Sequence, residues 1–105
     1  MQAGKLRHRL IIEEMIETID SMGEADRTWS TLDTVAGSVS PMSGRERIAG
    51  GQVMADVTHK VLIRYHPMVS ETCRIHWGAR LFDIVAAIDP DERHEKLELL
   101  CKEAL

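Results

Sequence analysis

Aromatic residues and basic charge are both scarce in this sequence. Aromatic side chains make up only 4% of the 105 residues, namely Trp29, Tyr65, Trp77 and Phe82. Proteins that bind single-stranded nucleic acid stack bases on exposed aromatic rings and follow the backbone with basic groups. Here 13 Lys and Arg stand against 17 Asp and Glu, a formal net charge of −4. The composition therefore disfavours a general nucleic-acid binder. An oligonucleotide-binding barrel is kept as a minor alternative, because core packing explains the aromatic positions better.

Long hydrophobic runs are also missing, and cysteine is rare. No apolar run reaches the ~18 residues of a membrane-spanning helix, and the first residues are polar and charged, unlike a signal peptide. Cys73 and Cys101 lie in apolar strand patterns, so two buried reduced thiols are expected, with a disulfide as the alternative. We therefore expect a protein made in a reducing cytoplasm, with no membrane partner.

No catalytic or ligand-binding constellation is recognisable in the sequence. Gly50-Gly51 lacks the Lys-Ser/Thr that follows the glycines of a phosphate-binding loop. Glu13 and Glu14 are neighbours on a predicted strand and point to opposite faces, as do Cys73 and His76, so neither pair forms an acid–base couple or a zinc site. A structural or binding role is favoured, and we expect no enzymatic activity, no cofactor and no metal.

Alternation of apolar and polar residues dominates the chain and predicts β-strands. Six strands are predicted, at residues 6–14, 27–40, 56–66, 72–77, 80–88 and 96–102. Tight turns join most of them, which is typical of a small antiparallel β-barrel or sandwich. We expect this mainly-β fold, with one short helix between the second and third strands, to form one domain over residues 1–105.

Three details refine this prediction. Gly37 inside the second strand predicts a bulge or bend. In the strand 80–88, the predicted inner face consists of Phe82, Ile84, Ala86 and Ile88. Residues 15–26 are interpreted as an acidic, polar connection with its turn at Met22-Gly23. The apolar residues of that connection (Met15, Ile16 and Ile19) indicate either a protein interface or a plug for one end of the barrel.

The short helix is predicted over residues 43–55. Ser43 and Glu46 have the spacing of a capping box, in which each side chain accepts a backbone N–H of the other residue. Gly50-Gly51 weakens the helix after about two turns. Arg45 and Arg47 lie on its exposed start, where they would meet phosphates or acidic groups. The alternative is a solvated helix that only caps the barrel.

Five sequence blocks occur in an order that resembles one known family. They are residues 3–9 (AGKLRHR), Trp29 with the Thr/Val-rich strand up to 39–46 (VSPMSGRE), 57–65 (VTHKVLIRY), 80–84 (RLFDI), and 89–93 (DPDER) before a Leu-rich strand that ends near Cys101. Together they resemble the head–tail joining proteins of tailed bacteriophages and prophages, which are called head–tail adaptor, head-closure or stopper proteins. The resemblance covers nearly the whole chain.

The resemblance implies a small β-barrel that assembles as a ring in the neck of the virion. Such a ring closes the DNA-filled head beneath the portal and its adaptor and provides the docking surface for the tail. The implied partners are portal or adaptor proteins, tail or neck proteins, further copies of the chain, and packaged DNA nearby. A tail-terminator or tail-completion protein of similar fold is the alternative. In some members the segment between the second and third strands lines the channel; here the candidate residues are Ser43, Gly44, Arg45, Glu46, Arg47, Gly50 and Gly51.

Overall fold

Six strands of the described chain close into an antiparallel barrel. The computed structural model describes residues 7–42, 48–49, 52–53 and 57–104. The described chain has eight strands in all: β1 (His8–Ile19), β2 (Ala25–Pro41), β3 (Ile48–Ala49), β4 (Gln52–Val53), β5 (His59–Arg64), β6 (Arg74–Trp77), β7 (Arg80–Ile88) and β8 (Lys96–Ala104). β3 and β4 form a separate two-stranded sheet. The barrel order is β1-β2-β5-β8-β7-β6, and the pairing of β1 with β6 closes it. The predicted mainly-β fold is confirmed, as a barrel rather than a sandwich.

Alternate side chains along each strand fill the interior of the barrel, as in other small barrels. The largest fully buried side chain is that of Phe82 on β7. The other fully buried members of the core are Leu10, Ile12, Val61, Ile63, Ile75, Leu99 and Cys101. Burying one such large apolar side chain contributes about 1.5–3 kcal/mol to stability, so this layer is the main source of cohesion.

A second, smaller apolar cluster lies on the outside of the barrel. Leu100 points away from the interior because its neighbours Leu99 and Cys101 point into it. Met42 and Val57 cover Leu100, and both are themselves buried. The backbone N–H of Met42 donates to the carbonyl oxygen of Thr58 at 3.0 Å. The two ends of the segment 43–56 are thus held side by side on the barrel.

The acidic connection predicted over residues 15–26 is mostly strand, so that prediction is wrong. β1 continues to Ile19 and β2 begins at Ala25, which leaves only residues 20–24 as a loop. The Asp20 Oδ1 atom accepts the backbone N–H groups of Met22 and Glu24, each at 2.9 Å, and Gly23 has a φ of +83°. The predicted turn at Met22-Gly23 is therefore confirmed. Both faces of a two-stranded ribbon are solvated, so its strands can carry charged residues on either face. The acidic residues were therefore interpreted as a loop.

The helix predicted between the second and third strands is also wrong where the segment is described. Ile48–Ala49 pairs antiparallel with Gln52–Val53. The two residues between them in the sequence are both glycine, the poorest helix former after proline and a frequent choice in two-residue hairpin loops. The only helical turn of the described residues is a 3₁₀ turn at Pro90–Glu92. Ser43 and Glu46, the predicted cap, lie outside the described residues.

The bulge predicted at Gly37 lies elsewhere. The register of β1 and β2 shifts between Ile12 and Glu13, and Leu32 is the extra residue of β2. Gly37 stands in regular register. A larger residue does not fit at this position, because a Cβ atom would lie 2.6 Å from Cδ1 of Leu10. The glycine therefore marks a close approach of the strand to core side chains rather than a bend.

A second bulge alters the inner face of β7. Phe82 and Ile84 are buried as predicted. The register with β8 then shifts by one residue between Ile84 and Ala86. As a result Ala87, and not Ala86, packs against the core, and Ile88 is 42% exposed. The predicted inward positions of Ala86 and Ile88 are wrong, because a bulge reverses the alternation of the residues that follow it.

Candidate functional site

The predicted channel or partner residues all fall outside the described part of the chain. They are Ser43, Gly44, Arg45, Glu46, Arg47, Gly50 and Gly51. Their attachment to the barrel is nevertheless defined, because β2 ends at Pro41 and β5 begins at His59. The segment leaves the barrel at the end where β1 and β7 begin and β8 finishes.

At the opposite end, β1 and β2 run on beyond the barrel as a two-stranded arm. β6 pairs only with residues 11–13 of β1, and β5 pairs only with residues 37–41 of β2. We call residues 14–30 the arm. Among the described residues its two strands pair only with each other. Strands of about six residues span ~20 Å, which agrees with overall dimensions of 49 × 30 × 30 Å.

The arm exposes large apolar side chains. Met15 stands opposite Trp29 and Ile19 opposite Ala25, and directly opposed residues of antiparallel strands share a face. Ile19 is 74% exposed, and Met22 at the tip is 89% exposed. Exposed apolar side chains grouped in this way are typical of a protein–protein contact surface. Because Met15, Ile16 and Ile19 lie on the arm beyond the barrel, they do not plug its end, and the interface interpretation stays a prediction.

The arm also carries a strong negative charge. It contains five carboxylates and one arginine, a net charge of −4, which equals the formal net charge of the whole chain. The carboxylates are those of Glu14, Glu17, Asp20, Glu24 and Asp26. Asp20 is engaged by the backbone of the turn. Within the described residues, the other four have no cation within 4.0 Å.

A polar cluster fixes the base of the arm to the barrel. The Glu13 Oε1 atom accepts a hydrogen bond from Arg74 Nε at 2.8 Å and lies 2.7 Å from His76 Nε2. The Arg74 guanidinium carbon lies 4.0 Å from the centre of the Trp29 ring, a cation–π contact. Trp29 therefore packs beneath an arginine outside the barrel, and not in the core as the sequence indicated. These contacts link β1, β2 and β6 where the arm begins.

At the other end of the barrel, Arg80 covers the opening of the core. Its Nε and Nη2 atoms donate to the two carboxylate oxygens of Glu103 at 2.7 and 2.9 Å. The hydrogen bonds from Arg80 lower the pKa of Glu103. The guanidinium also lies 5.0 Å from the Trp77 ring centre and 5.1 Å from that of Phe82. His59 meets the Phe82 ring edge-on at 5.1 Å.

Three basic residues lie on the outer surface at the same end as Arg80. They are Arg9 on β1, Lys60 on β5 and Lys102 on β8; because β1 and β8 are three steps apart in a barrel of six strands, Arg9 lies on the opposite side of the barrel from Lys102. Lys60 stands opposite Leu100, two residues before Lys102, so the two lysines share the outer surface. In the part of the chain that the structure describes, no carboxylate lies within 4.0 Å of any of the three.

The two ends of the molecule differ in charge. The half at the end of Arg80 contains five Lys or Arg and two Asp or Glu; it comprises residues 7–10, 36–42, 57–62, 77–85 and 99–104. The remaining described residues, the arm included, contain five Lys or Arg and thirteen Asp or Glu. The molecule thus has a positive end, from which the segment 43–56 leaves, and a negative end, which bears the arm.

The aromatic rings are engaged within the protein. The Tyr65 ring lies 4.5 Å from that of His94, and the Trp77 ring lies 4.4 Å from that of His8. Both Tyr65 and Trp77 also pack against the core. An open row of rings on which bases could stack is not found in the described residues. No observation therefore favours the oligonucleotide-binding alternative.

Neither cysteine is part of a site. Cys73 and Cys101 are buried free thiols, as predicted. Burial, with a contribution from nearby Asp83, raises the pKa of Cys101 to about 12, so the thiol stays protonated. Among the described residues, no group of three His, Cys, Asp or Glu side chains is placed to hold a metal ion, and no helix is long and apolar enough to cross a membrane.

Comparison with known proteins identifies the family. A family model described as phage head completion protein matches residues 1–104. The chain belongs to this family. It is 25% identical over 107 residues to head completion protein gp7 of Enterobacteria phage HK97, covering 97% of this chain and 96% of that protein. The family resemblance seen in the sequence is therefore confirmed, and head completion is a structural role in the phage particle.

Two solved structures share the fold of this head completion family member. The solution structure of protein SF1141 from Shigella flexneri 2a is 31% identical, with a TM-score of 0.81 over 99% of this chain and 97% of that chain. A chain in the virion of a native gene transfer agent particle is 24% identical, with a TM-score of 0.67 over 94% and 96% of the two chains. The second likeness concerns the fold alone.

The sequence did contain a signal for the arm. Ile16 and Thr18 before the turn, and Thr28 and Trp29 after it, are strand-favouring residues. The side chains at the base of the arm gave no such signal, because Glu13 and Arg74 are 61 residues apart.

Proposed function

We propose that this head completion protein is a structural subunit of the phage neck. In this role it assembles into a ring that closes the DNA-filled head beneath the portal and its adaptor, and it offers the tail a docking surface. The observation that carries the proposal is the family match over residues 1–104. The virion component of similar fold is consistent with this role.

The form of the molecule suits such a ring. A closed barrel has no free sheet edge in its wall and gives a rigid body. Its two ends carry different elements, the arm at one and the segment 43–56 at the other. A ring of identical subunits needs two different contact surfaces on each copy. We expect the isolated protein to be largely monomeric and the ring to form on the portal–adaptor platform.

The segment between β2 and β5 is proposed to face the channel or the next neck protein. It contains Ser43, Gly44, Arg45, Glu46, Arg47, Gly50 and Gly51. Two features support this role: the segment leaves the positive end of the barrel, and it contains two guanidinium groups, those of Arg45 and Arg47. Guanidinium groups form strong, charge-assisted hydrogen bonds with phosphates and carboxylates.

The test removes this segment while keeping the barrel. Residues 44–51 are deleted and the gap is bridged by a short linker; a matched control replaces the same residues with a Gly/Ser linker of unchanged length. Folding is checked by circular dichroism, and particles are scored for retained DNA and joined tails. We expect both variants to fold and both to give heads that leak DNA or stay tailless. Normal particles from a folded deletion variant would show that the segment is only a connector.

Electron microscopy tests the position of the protein in the neck. The purified chain is mixed with the portal–adaptor complex of its phage. Ring-shaped density below the adaptor is expected. Density that appears only at the end of isolated tails would instead identify a tail-terminator protein and overturn the head-closure role.

A further inference from the structure

We propose that a groove along the outer face of β2 binds an extended, acidic segment of a partner protein. We call it the β2 groove; its walls are the outward side chains of β1 and β5, and its floor is formed by three small residues of β2, namely Ala36, Ser38 and Ser40. The inference rests on the proposed function only for the identity of the partner, a neighbouring neck protein.

Small side chains on β2 make this part of the outer surface concave. Gly37 and Val39 face the core, so the three floor residues, which alternate with them, face outward. A cleft of about 440 Å³ lies along part of this floor, between Ala36 and the arginines of β1. The two walls are two strand spacings apart, ~10 Å. This width suits one extended chain better than a helix, whose diameter with side chains is about 10–12 Å.

Both walls of the β2 groove are basic. On β1, Arg9 stands opposite Ala36, and Arg7 lines the same cleft. On β5, Lys60 and Arg64 point outward, because the alternate residues of this strand fill the core. In the described chain, Arg9, Lys60 and Arg64 have no carboxylate within 4.0 Å. These cations on the two sides of one strand are therefore available to the carboxylates of a partner.

The surroundings of the β2 groove favour a protein over DNA as the partner. Ile11, which follows Arg9 on the outer face of β1, is 39% exposed, and Leu62 on β5 stands opposite Ser38. Apolar side chains contribute to the core of a protein interface, whereas DNA backbone is contacted by basic and polar groups. The formal net charge of −4 also repels a long polyanion. A short acidic segment meets mainly the local cations, because salt screens the more distant charges.

Carboxylates on an extended chain match the spacing of the arginines. Residues two apart on a strand lie ~6.6 Å apart on one face, and Arg7 and Arg9 have this relation on β1. An extended partner presents every second side chain to the groove, so acidic residues at alternate positions reach successive arginines. The carboxylates that adjoin the groove have other positions: Asp33 lies 3.1 Å from His66, and Glu98 lies on β8, on the far side of the β5 wall. The groove is thus complementary to a segment with alternating acidic residues.

Peptide titration followed by NMR tests the β2 groove on the full chain. The probe is the blocked peptide Glu-Ser-Glu-Ser-Glu, and its matched control is Gln-Ser-Gln-Ser-Gln. In 0.1 M salt, we expect the glutamate peptide to shift the backbone amide signals of Arg9, Ala36 and Arg64. It should bind at least about tenfold more tightly than the control, because ionised groups form the stronger hydrogen bonds with arginine. A short DNA duplex is titrated in parallel. Absence of shifts along β2, or a duplex that binds the same residues more tightly than the peptide, overturns the proposal.

Charge reversal at the two walls provides a second test. Arg9→Glu with Arg64→Glu should weaken binding of the glutamate peptide at least about tenfold, since like charges then face each other. Arg27→Glu with Lys102→Glu changes the net charge by the same amount outside the groove and should leave the affinity unchanged. Melting curves establish which variants fold; Arg9→Gln with Arg64→Gln replaces the reversal if that variant does not fold, and it should also weaken binding. An equal loss in the groove variant and the control variant would show an effect of net charge alone and contradict the site.

The linker variant described above tests whether the chain covers its own groove. In that variant a Gly/Ser linker of unchanged length replaces residues 44–51. The parent and this variant should bind the glutamate peptide equally. Binding to the linker variant alone would identify the chain's own segment as the occupant and overturn the proposal.

The two proposals fail in different ways. If the parent chain occupies the neck in electron micrographs but does not bind the glutamate peptide, the groove assignment is wrong and the function stands. If the peptide binds along β2 as expected but the chain is absent from the neck, the groove stands and the proposed function is wrong.

Discussion

Replacing Gly37 by alanine would place a methyl group against the core of the barrel. The added Cβ would lie 2.6 Å from Cδ1 of Leu10, 2.9 Å from Cγ2 of Ile63 and 3.0 Å from the carbonyl oxygen of Leu62. Carbon atoms in favourable contact are about 3.5–4.0 Å apart. Something must therefore move, and the neighbours differ in how readily they can do so.

The size of the effect follows from these neighbours. Leu10 could rotate, but it is completely buried. Ile63 is β-branched and has few rotamers, and the oxygen of Leu62 belongs to the backbone. Overpacking of a core costs about 1–3 kcal/mol, and three close contacts place this site near the upper value. Alanine also reduces the conformational entropy of the unfolded chain, which stabilises the folded protein by about 0.4–1 kcal/mol. We expect a net destabilisation of about 2 kcal/mol.

Thermal unfolding followed by circular dichroism measures this loss. For a domain of this size, about 2 kcal/mol corresponds to a decrease in Tm of roughly 8–16 °C. Ser38→Ala, at the neighbouring position in the same strand, is the control and should change Tm little. In a Leu10→Ala background the same glycine substitution should cost at least about 1 kcal/mol less, because the space is vacated. A Gly37→Ala variant as stable as the parent would refute the close approach of β2 to the core.

Two further predictions concern the core. Phe82→Ala should destabilise the protein by about 3–5 kcal/mol in urea unfolding. Trp77→Ala should destabilise it less, because Trp77 is only partly buried near a hairpin end. An unchanged unfolding midpoint for Phe82→Ala would mean that the faces of β7 are reversed. The pKa of Cys101 is raised to about 12 by burial, against about 8.5 in an unfolded chain. The protonated thiol therefore contributes its full stability below pH ~8.5, and this contribution falls as the pH rises towards 12, by up to about 1.4 kcal/mol per pH unit. Cys101→Ala should lack that part of the alkaline decline, and identical slopes in the two proteins would contradict the assignment.

Alternation alone predicted much of the barrel, because each wall strand has one buried and one solvated face. Leu10 and Ile12 of β1, and Leu97 and Leu99 of β8, are buried on the faces that the pattern indicated. The strand β7 has the bounds that the sequence predicted. Such positions are decided locally, since the period of two is a property of the strand itself.

The errors lie where a pairing partner, and not the strand, decides the outcome. The extra residue at Leu32 follows from the register against β1, and nothing in the sequence around it differs from an ordinary strand. The exposure of Ile88 likewise follows from the shift against β8. The arm was missed because its carboxylates resemble a loop when read alone.

The strand order also determines how the protein reaches its fold. The β1–β2 hairpin pairs residues close in sequence and has a preformed turn at Asp20, so it can form within microseconds. The barrel closes only when Glu13 meets Arg74, across 61 residues. Contacts so distant along the chain carry a loop-closure entropy that slows folding, and barrels dominated by them fold in milliseconds to seconds. During that interval the edges of β1 and β2 stand open, and the negative charge of the hairpin keeps copies of the unfinished protein apart.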